Sequence, residues 1–498
     1  MHRDFARHVA GLALTGTLLI LAAVAWTNPA KPTARIVQVH AIVSPKSAVA
    51  KQADEAPLLA RRLPLERTAR FVVADALIEQ ARTRLVAIEA DPAEKRRVVG
   101  MSIDLADDAP LVWQRTTLDD GAVSWRTRIE SPDAHYLRPF LTGIVEDAEG
   151  ELWIYGDDGP ARRVAPTASQ DPEAFWGPAI FGEALTLEFI ADGDAEPDID
   201  VARVSHGFKD FLGAPKLAGT CNLDVNCYSE FADIKSGIAT YLISQGSGDF
   251  VCTGTLLNDL DGTLQPWFLT ANHCVGSNSG ASSLLAFWGY ETDGCNGTPV
   301  DRNSRPTSAG ATLLYTETVA AGTDVSFLLL DEDPPDGTTY LGWTTDSPDI
   351  GDGGLSVIHH PQGDYKRIAF GSKIPVQDIN GLSTNPDNFH FVHYVEGDSD
   401  PGALGTTEPG SSGASLLNDD HQVIGQLYGG TASCAEPDAP DIYGKFAISF
   451  TNGVGEYLTN GTLPTTTTVT TPVSPGDGDD DDDKFRSNDS GDDSACGC

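Results

Sequence analysis

Six of the eight cysteines (Cys221, Cys227, Cys252, Cys274, Cys295 and Cys434) are confined to one stretch, and this even set constrains the fold more than any other feature. In an exported chain it reads as three disulfides stapling a single domain. None of the six is spaced C-x2-C, which argues against a zinc-type metal site. The other two, Cys496 and Cys498, close the chain.

The N-terminus supports export. "MHRDFAR" is basic, and an apolar run follows that ends near the small triplet Ala23-Val24-Ala25. Residues 1–26 therefore read as a signal peptide. An uncleaved anchor is the second reading, because the run is about long enough to span a bilayer. The formal net charge of −39 excludes nucleic acid and anionic lipid as natural partners. Fifty glycines and 31 prolines against two methionines suit a loop-rich β protein better than a helical one.

Composition divides the remainder into three parts. Residues 27–216 form a β-rich region. It opens with a leader at 27–62 expected to lack fixed structure, followed by helical spacing over 65–90. Short alternating segments such as "VVGMSIDL", "ELWIYG" and "LTLEFI" then predict a small sandwich. Residues 217–461 hold the six cysteines and again many short strands, which fits an antiparallel double barrel or sandwich. Residues 462–498 are Thr/Pro-rich, then Asp-rich, and too poor in large apolar residues to bury a core.

Three motifs carry chemistry. "WFLTANHCV" ends a strand in a small-residue turn that presents His273 beside Cys274. Cys252 lies one hairpin upstream, so a Cys252–Cys274 bridge would clamp that turn and hold a general base in place. "GTDVSFLLLD" puts Asp324 at the rim of an apolar strand, where a carboxylate needs a partner such as an imidazole N–H. In "EPGSSGASLL" the glycine spacing favours Ser412 as nucleophile over Ser411 and Ser415. Gly410 lets the backbone turn so that the N–H groups of Gly410 and Ser412 converge as an oxyanion hole. The order His273, Asp324, Ser412 is the chymotrypsin-like order, not the subtilisin or α/β-hydrolase order.

With these residues in view, 217–461 resembles the bacterial lysyl endopeptidase family of trypsin-like serine proteases. The resemblance lies in "CNLDVNC", "CTGTLL", "FLTANHC", "TDVSFLLL", "VIHHPQGDYKRI", "EPGSSG", "GQLYGG" and "DIYGKF". It implies a chymotrypsin-like double β-barrel, the triad His273, Asp324 and Ser412, and the pairing Cys221–Cys434, Cys227–Cys295 and Cys252–Cys274. It also implies that Asp441 sits at the base of the primary pocket and selects Lys, or Lys and Arg, before the scissile bond. Glu436 and Asp438 compete for that role in an acidic loop. Tyr428 and Gly429 would lie on the edge that pairs with substrate backbone. Members often carry His where this chain has Tyr428, and a Trp upstream of the nucleophile, whereas no Trp lies between Trp343 and Ser412.

The family matures by a cut at a distance from its first cysteine close to that of Lys216. This makes 27–216 resemble a propeptide that partners its own protease half. An ordinary linker lysine is the other reading. No cofactor is expected, and none of the remaining candidates makes a metal site. His359 and His360 are adjacent on a strand and point to opposite faces, and the aspartate run 479–483 lacks EF-hand spacing. The expected protein is a secreted or periplasmic endopeptidase acting on polypeptides, free of the membrane once processed, with surface attachment through the tail left open. The alternatives are a protease of non-basic preference and a surface-binding protein with a vestigial protease domain.

Overall fold

The structure is a computed structural model. It describes residues 38–46, 69–91, 94–105, 111–118, 121–143, 150–191, 193, 195–213, 218–377, 385–396, 404–436 and 438–460. Residues 1–26, expected to be a signal peptide, Lys216 and the tail with Cys496 and Cys498 lie outside the described residues.

Between Ile238 and Leu330 the strands close into a ring. Ile238–Gln245 pairs with Gly248–Leu257 on one side and Leu285–Phe287 on the other. Gly248–Leu257 pairs onward with Trp267–Ala271, which pairs with Val325–Leu330, which pairs with Ala311–Glu317. Thr307–Ala309, immediately before that last strand, returns to Leu285–Phe287 and completes the barrel. The run "VSFLLL" suits its place, since Val325–Leu330 is buried almost throughout.

A second ring follows. Leu355–His359 lies between Arg367–Ile374 and Ser415–Leu417. Arg367–Ile374 pairs with Phe389–Val395, which pairs with Asp441–Lys445. That strand pairs with Val423–Gly430, which returns to Ser415–Leu417. Pairing around each ring covers most strand edges, but leaves the outer end of Gly248–Leu257 beyond its ring partner Trp267–Ala271. One apolar cluster spans the seam, joining Trp267, Val325 and Phe327 of the first barrel to Ile358, Ile368 and Val423 of the second. The bridges are Cys221–Cys434, Cys227–Cys295 and Cys252–Cys274.

The N-terminal half forms two sheets. In one, Ala184–Ala191 lies between Val123–Glu130 and Gly150–Tyr155. In the other, Ile199–Gly207 lies between Tyr136–Gly143 and Arg97–Asp104. Leu152, Leu185 and Leu187 share a core with Leu137, Leu141 and Val204. The helix Asp75–Glu89 buries Ile78, Ala81 and Leu85, a single stripe at helical spacing.

The second sheet does not stop at the half's boundary. Arg97–Asp104 pairs antiparallel with the barrel strand Gly248–Leu257, setting Met101 opposite Gly248 and Arg97 opposite Val251. Buried polar groups fix this junction. Asp249 accepts from Tyr136 Oη at 2.8 Å and Ser205 Oγ at 3.0 Å. Arg138 donates to Gly177 O at 2.9 Å, Ser244 Oγ at 3.0 Å and Ser283 O at 2.7 Å. Part of the leader is also ordered, contrary to expectation. Gln38–Val39 pairs with Trp343–Thr344, and Ile42–Val43 with Thr339–Tyr340. Its register is set by pairing with the inter-barrel connector, which the leader's own composition does not reveal.

Replacing Arg138 by Met leaves two carbonyls and a hydroxyl buried without their donor. The full-length Arg138→Met chain is expected to lose about 3 kcal/mol of unfolding free energy, read as a lower denaturation midpoint.

Candidate active site

His273 follows the strand Trp267–Ala271, in a turn closed by Cys274 N–H on Ala271 O at 3.2 Å. Asp324 opens the strand Val325–Leu330, whose register against Trp267–Ala271 sets Val325 opposite Ala271. The two side chains therefore meet at the same end of a strand pair. His273 Nδ1 lies 2.6 Å from Asp324 Oδ2, and the His273 backbone N–H donates to Asp324 Oδ1 at 3.1 Å. The Asp324 backbone is left-handed, with φ of 60°. Asp324 is 1% exposed. Burial pushes its carboxyl above the usual range, and the His273 ring and N–H oppose that rise. With Nδ1–H committed to the carboxylate, Nε2 is the basic atom.

Ser412 reaches the same place from the second barrel. Its carbonyl accepts the Thr253 N–H at 2.9 Å, and Thr253 Oγ1 donates to Gly410 O at 2.9 Å. Gly410 and Gly413 have φ of 102° and 84°. A Cβ at 413 would collide with Thr270 Oγ1 and the Thr253 carbonyl oxygen, so only glycine lets this loop rest on the strand that leads to His273. The Ser412 hydroxyl is not hydrogen-bonded to His273 Nε2, which has no hydrogen-bond partner in this structure. Such contacts commonly tighten only when substrate is bound.

Two carbonyls aim the loop's amides. Pro409 O accepts from Gln362 N–H at 2.7 Å, and Ser411 O from Ala414 N–H at 3.0 Å. A trans peptide points its N–H opposite to its C=O, so the Gly410 and Ser412 N–H groups face away from both pins. Among the described residues neither donates to a protein acceptor. The buried His359 adds a tie to the residue before Ser412, with Nδ1 2.7 Å from Ser411 Oγ. His360 instead bonds Asp364 O through Nδ1, at 2.9 Å.

Of the three acids in the loop before the last barrel strand, Asp441 is buried, while Glu436 and Asp438 are exposed. Asp441 Oδ2 accepts from Tyr394 Oη at 2.6 Å and from Thr407 Oγ1. Tyr394 Oη is also 2.7 Å from Tyr443 Oη. Burial pushes the Asp441 carboxyl up to about 6, against the pull of the Thr407 and Tyr394 hydroxyls. Tyr428 meets the His273 ring edge-on with centroids 5.9 Å apart, and Gly429 beside it has φ of 136°. Sequence reasoning missed the parts played by Thr253, Tyr394, Thr407 and Gln362; Thr253 and Gln362 lie in segments that carry the resemblance, but only the fold brings all four to this loop.

It also missed the segment that lies over this cleft. Lys95 Nζ sits 4.2 Å from the centre of the Tyr428 ring. Burial raises the Glu94 carboxyl, but Arg96 and, more weakly, His273 carry it below its usual range. Lys95 in turn acts on Asp324. Burial lowers Arg97, opposed by Glu408 of the nucleophile loop. The signal in sequence was the run "EKRR", four charges between a helix and a strand.

One closed six-stranded antiparallel barrel and one antiparallel ring completed by chain continuity at Gly310, the ring carrying a His–Asp pair and the closed barrel a serine among glycines, define the chymotrypsin-like protease fold. Residues 216–444 match the family model described as lysyl endopeptidase, C-terminal domain. A lysyl endopeptidase of Pseudomonas aeruginosa is 30% identical over 288 residues, covering 53% of this chain and 58% of the relative. The chain thus spans less than two thirds of that relative's length. Among solved structures, the active form of the Rv3671c protease from M. tuberculosis is 14% identical and covers 51% of this chain and 97% of its own, with a TM-score of 0.31. The HtrA-type protease AlgW with a tripeptide is 13% identical and covers 48% and 64%, at 0.30. The fold assignment rests on the strand pairing, not on these two likenesses.

Gly413→Ala combines an unfavourable φ with collisions against fixed atoms. It is expected to cost roughly 2–4 kcal/mol of stability, measurable as a fall in the denaturation midpoint relative to the parent chain.

Proposed function

We propose that this chain is a precursor of an exported serine endopeptidase that cuts after lysine. The observation that carries the reading is the 2.6 Å His273–Asp324 bond at the barrel seam, beside a serine loop whose two amides are unspent. Ser412 Oγ attacks the substrate carbonyl while His273 Nε2 takes its proton. Asp324 holds the ring and stabilises the imidazolium. The amides of Gly410 and Ser412 donate to the oxyanion, and His273 then gives the proton to the leaving amine. Water repeats the cycle on the acyl-enzyme.

Lysine preference is supported by Asp441, a buried carboxylate that pairs with an ammonium once one enters the pocket. Tyr428 and Gly429 supply the substrate-facing edge. Three disulfides support an oxidising compartment outside the cytoplasm. The N-terminal half acts as a propeptide that occupies the cleft of its own protease. Lys95 over Tyr428 and the strand pairing at Gly248–Val251 support this. A cut after Lys216 separates the halves.

Fluorogenic peptides differing only in Lys or Arg before the scissile bond test the reading. The processed enzyme is expected to favour Lys, and Ser412→Ala to lower kcat by at least ~10⁴-fold. Equal inactivity of parent and variant toward both peptides overturns it. Mass spectrometry of the secreted protein checks Lys216.

The pocket adds a pH dependence. The Asp441 carboxyl is raised to about 6, so it is neutral below that pH and charged above it. A butylammonium competitor remains a cation throughout and is expected to bind more tightly as pH rises from about 5 to 7. An uncharged analogue of equal length is expected to show no such change.

A further inference from the structure

Glu317 is 3% exposed and stands apart from the residues assigned above. It ends the strand Ala311–Glu317, opposite Val325 in a hairpin whose loop finishes at Asp324. Its side chain folds back into that loop and accepts four hydrogen bonds. Oε1 takes the Thr323 N–H at 3.0 Å and the Thr323 Oγ1–H at 2.7 Å. Oε2 takes Tyr315 Oη–H at 2.8 Å and Asn452 Nδ2–H at 3.0 Å. The carboxylate fills the space where a Cβ on Gly322 would stand, so the loop wraps directly around it.

Asp324 comes next in the chain and holds a left-handed backbone that non-glycine residues seldom adopt. Such a conformation persists only where its surroundings over-determine it. Here the preceding residue is held on three sides. Glu317 takes both donors of Thr323, Gln426 Nε2 donates to Thr323 O at 2.8 Å, and Ser449 Oγ lies 2.7 Å from Thr323 Oγ1. Asn272 N–H then holds Asp324 O at 3.0 Å. Glu317 alone among these supplies two bonds to one residue, and it does so from inside the loop.

We propose that Glu317 is a positioning residue for the reaction. It fixes the Thr323–Asp324 turn, and through it the angle at which the Asp324 carboxylate meets His273. The proposal rests on the triad reading above. Its prediction is a loss in turnover without a loss in substrate binding, because Glu317 touches neither pocket nor cleft.

The test uses the full chain, expressed and processed as the parent is, with a lysine peptide substrate. Glu317→Ala is expected to lower kcat about 100-fold while KM stays within about threefold. Glu317→Gln keeps an oxygen for Thr323 and is expected to recover at least tenfold of that loss. The downfield proton resonance of the His273–Asp324 hydrogen bond is expected to be lost or moved in the Ala variant and retained in the Gln variant. Tyr315→Phe removes a bond from the other carboxylate oxygen, and is expected to lower the melting temperature while kcat stays within twofold. Should Glu317→Ala fail to fold, Thr323→Val decides, with an expected kcat loss of about tenfold. The proposal is overturned if Glu317→Ala keeps both kcat and the resonance. It is equally overturned if Tyr315→Phe cuts kcat as far as Glu317→Ala does. An inactive parent overturns the endopeptidase reading instead, and the resonance then still reports whether Glu317 sets the His–Asp geometry.

Discussion

A buried carboxylate at the seam of two barrels organises this molecule. Asp324 has almost no access to water, so its charge has to be met by protein donors. It finds the His273 ring and backbone N–H, which commits Nδ1 to the carboxylate and leaves Nε2 without a protein partner. The left-handed turn, the hairpin around Glu317 and the lean of Gln426 across the seam can all be understood as the support this placement requires. The Cys252–Cys274 bridge ties the histidine turn to the strand that also grips the serine loop through Thr253. Both halves of the site thus share one rigid element, which suits chemistry that depends on sub-ångström placement.

The N-terminal half meets the protease in two physically different ways. Along Gly248–Val251 it adds a strand, and backbone pairing there is backed by the buried Asp249 and Arg138 groups. At Glu94–Arg97 it lays charged side chains over the cleft, where they remain partly in contact with solvent. The first buries backbone and polar groups; the second leaves its charges partly in solvent. Strand addition to a barrel that is already closed on itself is possible because the outer end of Gly248–Leu257 runs past its barrel partner Trp267–Ala271, which pairs only with Thr255–Leu257. The free end of that strand is what the N-terminal sheet completes.

Much of the site was legible in the amino-acid sequence because its signals are local. A histidine beside a cysteine after an apolar strand, an aspartate opening "VSFLLL" and a serine among positive-φ glycines each declare their backbone context. The cysteine count likewise announced a stapled domain. These are constraints that neighbouring residues impose, so no tertiary knowledge was needed to read them. What only the tertiary structure decided is how distant segments meet. Burial separated Asp441 from Glu436 and Asp438, three acids that look alike in sequence. Strand register brought Arg97–Asp104 onto the barrel and the leader onto the inter-barrel connector. Glu317 and Thr253 became supports of the site only through hydrogen bonds that the folded hairpin and barrel make possible. Backbone pairing and desolvation depend on which surfaces come together in space, and local sequence carries no record of that.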